Sequence, residues 1–79
     1  MLDDHQVVAR RLVGTLNATE LQILHCLVRG MSERGAAALT GVRLDEVRQF
    51  TSTMMQKLKA TRTADAVRIG LYAAIDLPN

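Results

Sequence analysis

Seven polar side chains between positions 46 and 57 could do chemistry together: Glu46, Arg48, Gln49, Ser52, Thr53, Gln56 and Lys57. If this stretch is helical, they face away from an apolar stripe of Val47, Phe50, Met54 and Leu58. The chemistry of such a face is hydrogen bonding and charge pairing. Arg can pair with guanine and Gln with adenine, and Lys can meet a phosphate. Any surface helix also presents a polar face to water, so the positions of these residues must carry the argument, not their types. Other reactive side chains are scattered. His5 and His25 fall in different segments, and neither has an acid or nucleophile at a recognisable spacing. His25 and Cys26 are adjacent, so on a helix they point about 100° apart and make a poor metal pair. Cys26 reads as a small packing residue, Met31, Met54 and Met55 as gap fillers, and Phe50 as core. No catalytic residue, metal site, glycine-rich phosphate loop or cofactor is expected, and the chain is not read as an enzyme.

The elements that would position this face follow from caps and stops. Asp3 or Asp4 can cap a short first helix to about Val13, with Val7, Val8 and Leu12 as a narrow apolar strip. A helix that short must dock on something to be stable. Asn17 followed by Glu20 has the reciprocal layout of a capping box, and Leu21, Leu24, Leu27 and Val28 follow at helical spacing, flanked by Ile23. Ser32 can cap a short helix from Glu33 to about Thr40, where Ala36, Ala37 and Ala38 permit close contact. Gly14, Gly30 and Gly41 each follow an apolar run, where a left-handed cap is cheapest. After the turn Gly41–Val42–Arg43 a longer helix runs from about Leu44 to Lys59. Thr63 can cap a last one from Ala64 to about Ile75, with Val67, Leu71 and Ala74 on one side. No segment alternates as a strand would. The expectation is an all-α chain, with residues 1–14 an N-terminal helix or linker and residues 15–77 a single domain.

Composition agrees. Seventy-nine residues allow one small domain with one modest core. A net charge of +2 is mild, and its positive excess lies between Met31 and Lys59. That suits a phosphate-facing side only weakly. With one Phe, one Tyr and no Trp, stacking platforms for single strands are scarce. The single Cys26 cannot form an internal disulfide, there is no signal-peptide pattern, and no apolar run is long enough to span a bilayer. A cytoplasmic location without membrane contact is expected.

Residues Ser32 to Lys59 supply the parts of a helix-turn-helix: Ala37 at the crossing, Gly41 at the turn, Val42 as the apolar plug and Val47 as the inward anchor. From Leu16 to Ile75 the chain resembles the DNA-binding unit of LuxR-type (FixJ/GerE-like) transcription regulators. The resemblance rests on Asn17 and Glu20, Gly30-Met31-Ser32, Ala36-Ala37, Gly41-Val42, Glu46-Val47, Lys57-Leu58 and Ala66-Val67. The run Lys57-Leu58-Lys59-Ala60 looks most like FixJ-type response regulators. Arg43 stands where that family usually has a capping Ser, Glu46 where it has Thr, Phe50 where it often has His, and Thr63 where it has Arg.

The resemblance implies a four-helix LuxR-type domain with a short extra N-terminal helix. It implies a sequence-specific transcription regulator, either alone or as the C-terminal part of a response regulator. Arg48, Gln49 and Ser52 would point at base edges and Lys57 at a phosphate, with Thr53, Arg43 and Glu46 completing the contact surface on double-stranded DNA. The last helix would make a homodimer through Ala66, Gly70, Ala73 and Ala74, although the same small residues could pack on the domain's own second helix. Glu46 has two explanations. With Asp45 it can complement the helix dipole, or it can repel phosphate and mark a helix-turn-helix that binds another regulatory protein instead.

Overall fold

The computed structural model describes residues 4–73, and over these the chain is entirely helical. Five helices follow one another: α1 (Asp4–Val13), α2 (Ala18–Val28), α3 (Glu33–Thr40), α4 (Leu44–Leu58) and α5 (Thr63–Tyr72). They wrap one core built from Ile23, Leu24, Cys26 and Leu27 of α2, Ala36 of α3, Val47, Met54 and Leu58 of α4, and Ala66 of α5. Every one of α2 to α5 thus gives up its apolar stripe to the same centre, with α2 packed against the other three. Cys26 is buried, as a small packing residue should be.

The capping box at α2 forms as its spacing predicts. Asn17 Oδ1 accepts the Glu20 N–H at 2.8 Å, and Glu20 Oε1 accepts the Asn17 N–H at 2.9 Å. Closing the box turns Glu20 inward, and the buried face of α2 begins there. Ile23, Leu24 and Leu27 follow on that face, while Leu21 is left exposed, contrary to its expected place in the stripe.

Between α3 and α4 the chain reverses over Gly41, Val42 and Arg43. Gly41 has φ 74°, a left-handed conformation that costs a residue with a Cβ about 1–2 kcal/mol. Val42 packs against the core from the turn, as expected of a plug. The buried alanine of α3 is Ala36, with Ala37 half-buried against the core and Ala38 exposed. Gly30 also takes positive φ, but Gly14 does not. There α1 ends in a tight turn, with the Gly14 N–H on Arg10 O and the Thr15 N–H on Leu12 O. Lys59 takes the left-handed cap of α4 with φ 56°, a position the sequence does not advertise because no glycine marks it.

Two ends differ from expectation. Helix α5 starts at Thr63 with Arg62 as N-cap, because the Asp65 carboxylate reaches back to the Arg62 N–H and the Thr61 hydroxyl. Its expected continuation to Ile75, including Ala74, lies outside the described residues. Helix α1 docks on α5 and α4, but through Ala9, which is buried, with Leu12 and Val13 partly so. Val7 and Val8 remain exposed, because a helix seated by Ala9 turns its fourth and fifth residues to the side.

Candidate nucleic-acid interface

Helix α4 holds the residues singled out for recognition. Its inward stripe of Val47, Met54 and Leu58 is fully buried, which sets the rotation of the helix about its axis. That rotation leaves Arg48, Gln49, Ser52 and Thr53 exposed along the outer side. Phe50 is half-buried rather than part of the sealed core, because it sits at the edge of the stripe. Together with Glu46, Gln49 and Thr53 it lines a shallow groove of about 200 Å³.

The first turn of α4 is organised by charge. Arg43, the N-cap, makes no side-chain cap bond. Instead Asp45 Oδ1 accepts the Glu46 N–H at 3.0 Å and occupies one of the orphan donors of the helix start. Arg43 Nε donates to Glu46 Oε1 at 3.0 Å and lies 3.7 Å from Asp45 Oδ1. The positive end of the helix dipole favours both carboxylates there. Asp45 thus supplies the hydrogen bond to the helix start, while Glu46 directs its carboxylate to an exposed cation.

Lys57 is placed differently from the phosphate contact that the resemblance implies. Its Nζ donates to Glu20 Oε1 at 2.7 Å, across 37 residues of sequence. The Glu20 side chain is only 1% exposed, whereas that of Lys57 is 34% exposed. A carboxylate buried that deeply needs a counter-charge, and Lys57 is the one it has. The same oxygen closes the capping box, so the start of α2 and the last turn of α4 are tied at a single atom. Arg48 is less committed: its Nε lies 3.9 Å from Glu33 Oε1, and both side chains are well exposed.

On α5 the small residues expected at a dimer contact divide. Ala66 and Gly70 are buried, Ala73 is half-buried, and Ala74 lies outside the described residues. Val67 is half-buried against the core, and the outer side of α5 carries exposed Ala64 and Leu71, the last 57% exposed. Nearby, Asp65 accepts from the Thr61 hydroxyl at 3.0 Å and from Arg68 Nη2 at 2.6 Å. The hydrogen bond from Thr61, helped by the Arg62 N–H and the Arg68 charge, holds its carboxyl below the usual range. Among the described residues, no group of three His, Cys, Asp or Glu side chains is placed to hold a metal ion. No described helix is long and apolar enough to cross a membrane.

The chain is similar to a transcriptional regulator. Over 73 residues, 92% of its length, it is 32% identical to the transcriptional regulatory protein FixJ of Azorhizobium caulinodans. The match spans 34% of that protein, so the chain corresponds to about a third of its relative. No family model matches the chain, and no solved structure matches it.

Proposed function

We propose that this chain is a LuxR-type, FixJ-like helix-turn-helix domain that binds double-stranded DNA in a sequence-dependent way and regulates transcription, with no enzymatic role. The observation that carries the reading is the outward face of α4. It is a helix held by three fully buried anchors beyond a glycine turn, and it presents Arg48, Gln49, Ser52 and Thr53 to solvent. A rigid helix with exposed Arg and Gln is what the major groove admits and what base edges pair with. The similarity to a transcriptional regulatory protein supports the same role. In this reading Arg48, Gln49, Ser52 and Thr53 meet bases, Arg43 lies near the backbone, and two copies associate through the outer side of α5.

The test is a titration of fluorescent duplex from the DNA upstream of the protein's own gene, against a scrambled duplex, at two salt concentrations. Saturable binding with preference for the specific duplex is expected. Arg48→Ala should remove about 1–3 kcal/mol of that preference and leave non-specific binding nearly intact. Equal loss on both duplexes would remove the base-reading role of Arg48.

A specific observation also favours a second reading, in which the domain grips another regulatory protein. Lys57 is committed to Glu20 and Arg43 to Glu46, which leaves the face poor in cations free for phosphate. Under that reading Glu46 pairs with a basic group of the partner. Neither the wild type nor Glu46→Thr should then bind any duplex at low salt.

A further inference from the structure

Four side chains of α4 share one shallow groove: Glu46, Gln49, Phe50 and Thr53. They stand at i, i+3, i+4 and i+7, the spacing that puts residues on one side of a helix. The groove is chemically mixed, with a carboxylate, an amide, a half-buried aromatic ring and a hydroxyl. Its carboxylate is the puzzling member, because an acid at the start of a recognition helix would repel the DNA backbone. Two contacts remove the difficulty. Asp45 accepts the Glu46 N–H, so Glu46 is not the residue that caps the helix. Arg43 donates to Glu46 Oε1 at 3.0 Å, which offsets its charge and orients it while leaving Oε2 with acceptor capacity.

We infer that this groove is a sequence-reading edge in which Glu46, held by Arg43, selects a cytosine, and Phe50 selects a thymine close by. The inference rests on the DNA reading given above and assigns specificity within it. Cytosine is the base that shows an amino donor and no acceptor of its own in the major groove, and a carboxylate is its natural partner. Phe50 offers an apolar surface for the thymine methyl, and Gln49 between them matches adenine. Glu46 and Phe50 are four residues apart, about 6 Å along the helix axis. That distance covers no more than about two base-pair steps of ~3.4 Å, so both contacts fit one short half-site. Arg48, on the side of α4 that approaches Glu33, lies outside this groove, and its contacts are separate.

Selection from random duplexes at low salt, followed by titration of the enriched site, tests the assignment. The wild type should enrich a cytosine with a thymine within two steps. Glu46→Gln should lower the preference for cytosine at that position about tenfold, while binding scrambled duplex equally or more tightly. Replacing the thymine by deoxyuridine, which deletes one methyl and needs no protein variant, should weaken wild-type binding about fourfold. Glu46 is exposed enough that helicity should be unchanged by its substitution, and circular dichroism checks this. Specific binding with no preferred cytosine, or one that Glu46→Gln leaves intact, would overturn the assignment while sparing the DNA reading. Absence of binding to every duplex by every form would overturn the DNA reading and this inference with it.

Discussion

Replacing Lys57 should damage the fold before it damages any surface contact. Lys57→Met keeps most of the aliphatic stem and deletes the charge that Glu20 Oε1 accepts at 2.7 Å. Glu20 is 1% exposed and would keep the Asn17 N–H as its only hydrogen-bond donor within the described residues. Stranding a charge in a sealed interior costs about 3–5 kcal/mol. Lys57 is itself 34% exposed, so water can follow where the ammonium stood, and the loss should approach that of one bond to a buried charged acceptor. About 2 kcal/mol is then expected. A domain of 79 residues has about 4–12 kcal/mol in total, so the variant should still fold, with Tm lower by roughly 10 °C.

The double variant Glu20→Gln/Lys57→Met isolates the cause. Gln at the third helical position still accepts from the Asn17 N–H, and its neutral amide needs no counter-charge. The double variant should therefore be more stable than Lys57→Met alone, with a coupling energy of about 1–2 kcal/mol from urea unfolding of the four proteins. Lys57→Met that unfolds within about 0.5 kcal/mol of wild type, with no coupling to Glu20 and a uniform loss of affinity for all duplexes, would refute the argument. It would show that Lys57 turns to phosphate and that Glu20 needs no partner.

Other perturbations have equally definite outcomes. Asn17→Ala removes one arm of the capping box and should cost about 1 kcal/mol in the same unfolding assay. The Asp65 carboxyl is held below its usual range by Thr61, Arg62 and Arg68, so it stabilises the fold at pH above its unfolded value and loses that contribution as pH falls through its folded value. Asp65→Asn should accordingly be less stable than wild type near neutrality, and the difference should shrink as acid unfolding is followed below about pH 4. Gly70→Leu places a large side chain in a buried position and should lower stability by about 1–3 kcal/mol in unfolding, whatever the oligomeric state. Leu71→Glu, on the exposed side of α5, should leave unfolding nearly unchanged and shift any dimer toward monomer in sedimentation. Unchanged sedimentation of a wild-type dimer on that substitution would place the association elsewhere.

Local signals were legible in the sequence and long-range ones were not. Asn17 with Glu20, Ser32 and Gly41 announce helix ends because each acts within four residues of itself, and all three behave as their types predict. The stripe Val47–Met54–Leu58 likewise follows from periodicity alone. Spacing could not show which face of a weakly patterned helix is inward. In α1 the small Ala9 is the buried contact while two valines stay in solvent, because the seat on α5 and α4 is shaped by residues far away in sequence. The Glu20–Lys57 pair is the clearest case. Glu20 is a capping residue by local reading and a buried anion by tertiary position, and only the second property commits Lys57. The two small residues Ala66 and Gly70 fit a helix contact by type, but their burial within the fold leaves Leu71 as the exposed apolar residue of that helix's outer side.

The internal pairing of charges also bears on how such a domain would hold DNA. Lys57 faces inward to Glu20, Arg43 is shared between Glu46 and Asp45, and Arg48 lies within 3.9 Å of Glu33. Lys57 and Arg43 would have to leave an acid of their own chain before meeting a phosphate, and Arg48 is partly offset by its neighbour. Non-specific attraction, which grows with the number of phosphates neutralised, is therefore small for one copy. What remains is base contact along one helix and the gain from placing two such helices on one duplex, where the second contact is made at high effective concentration. A face with few free cations thus discriminates against ordinary DNA more strongly than a basic one would. In the proposed function, affinity for a correct site would depend on the association of two copies, and the exposed side of α5 would matter as much as the groove on α4.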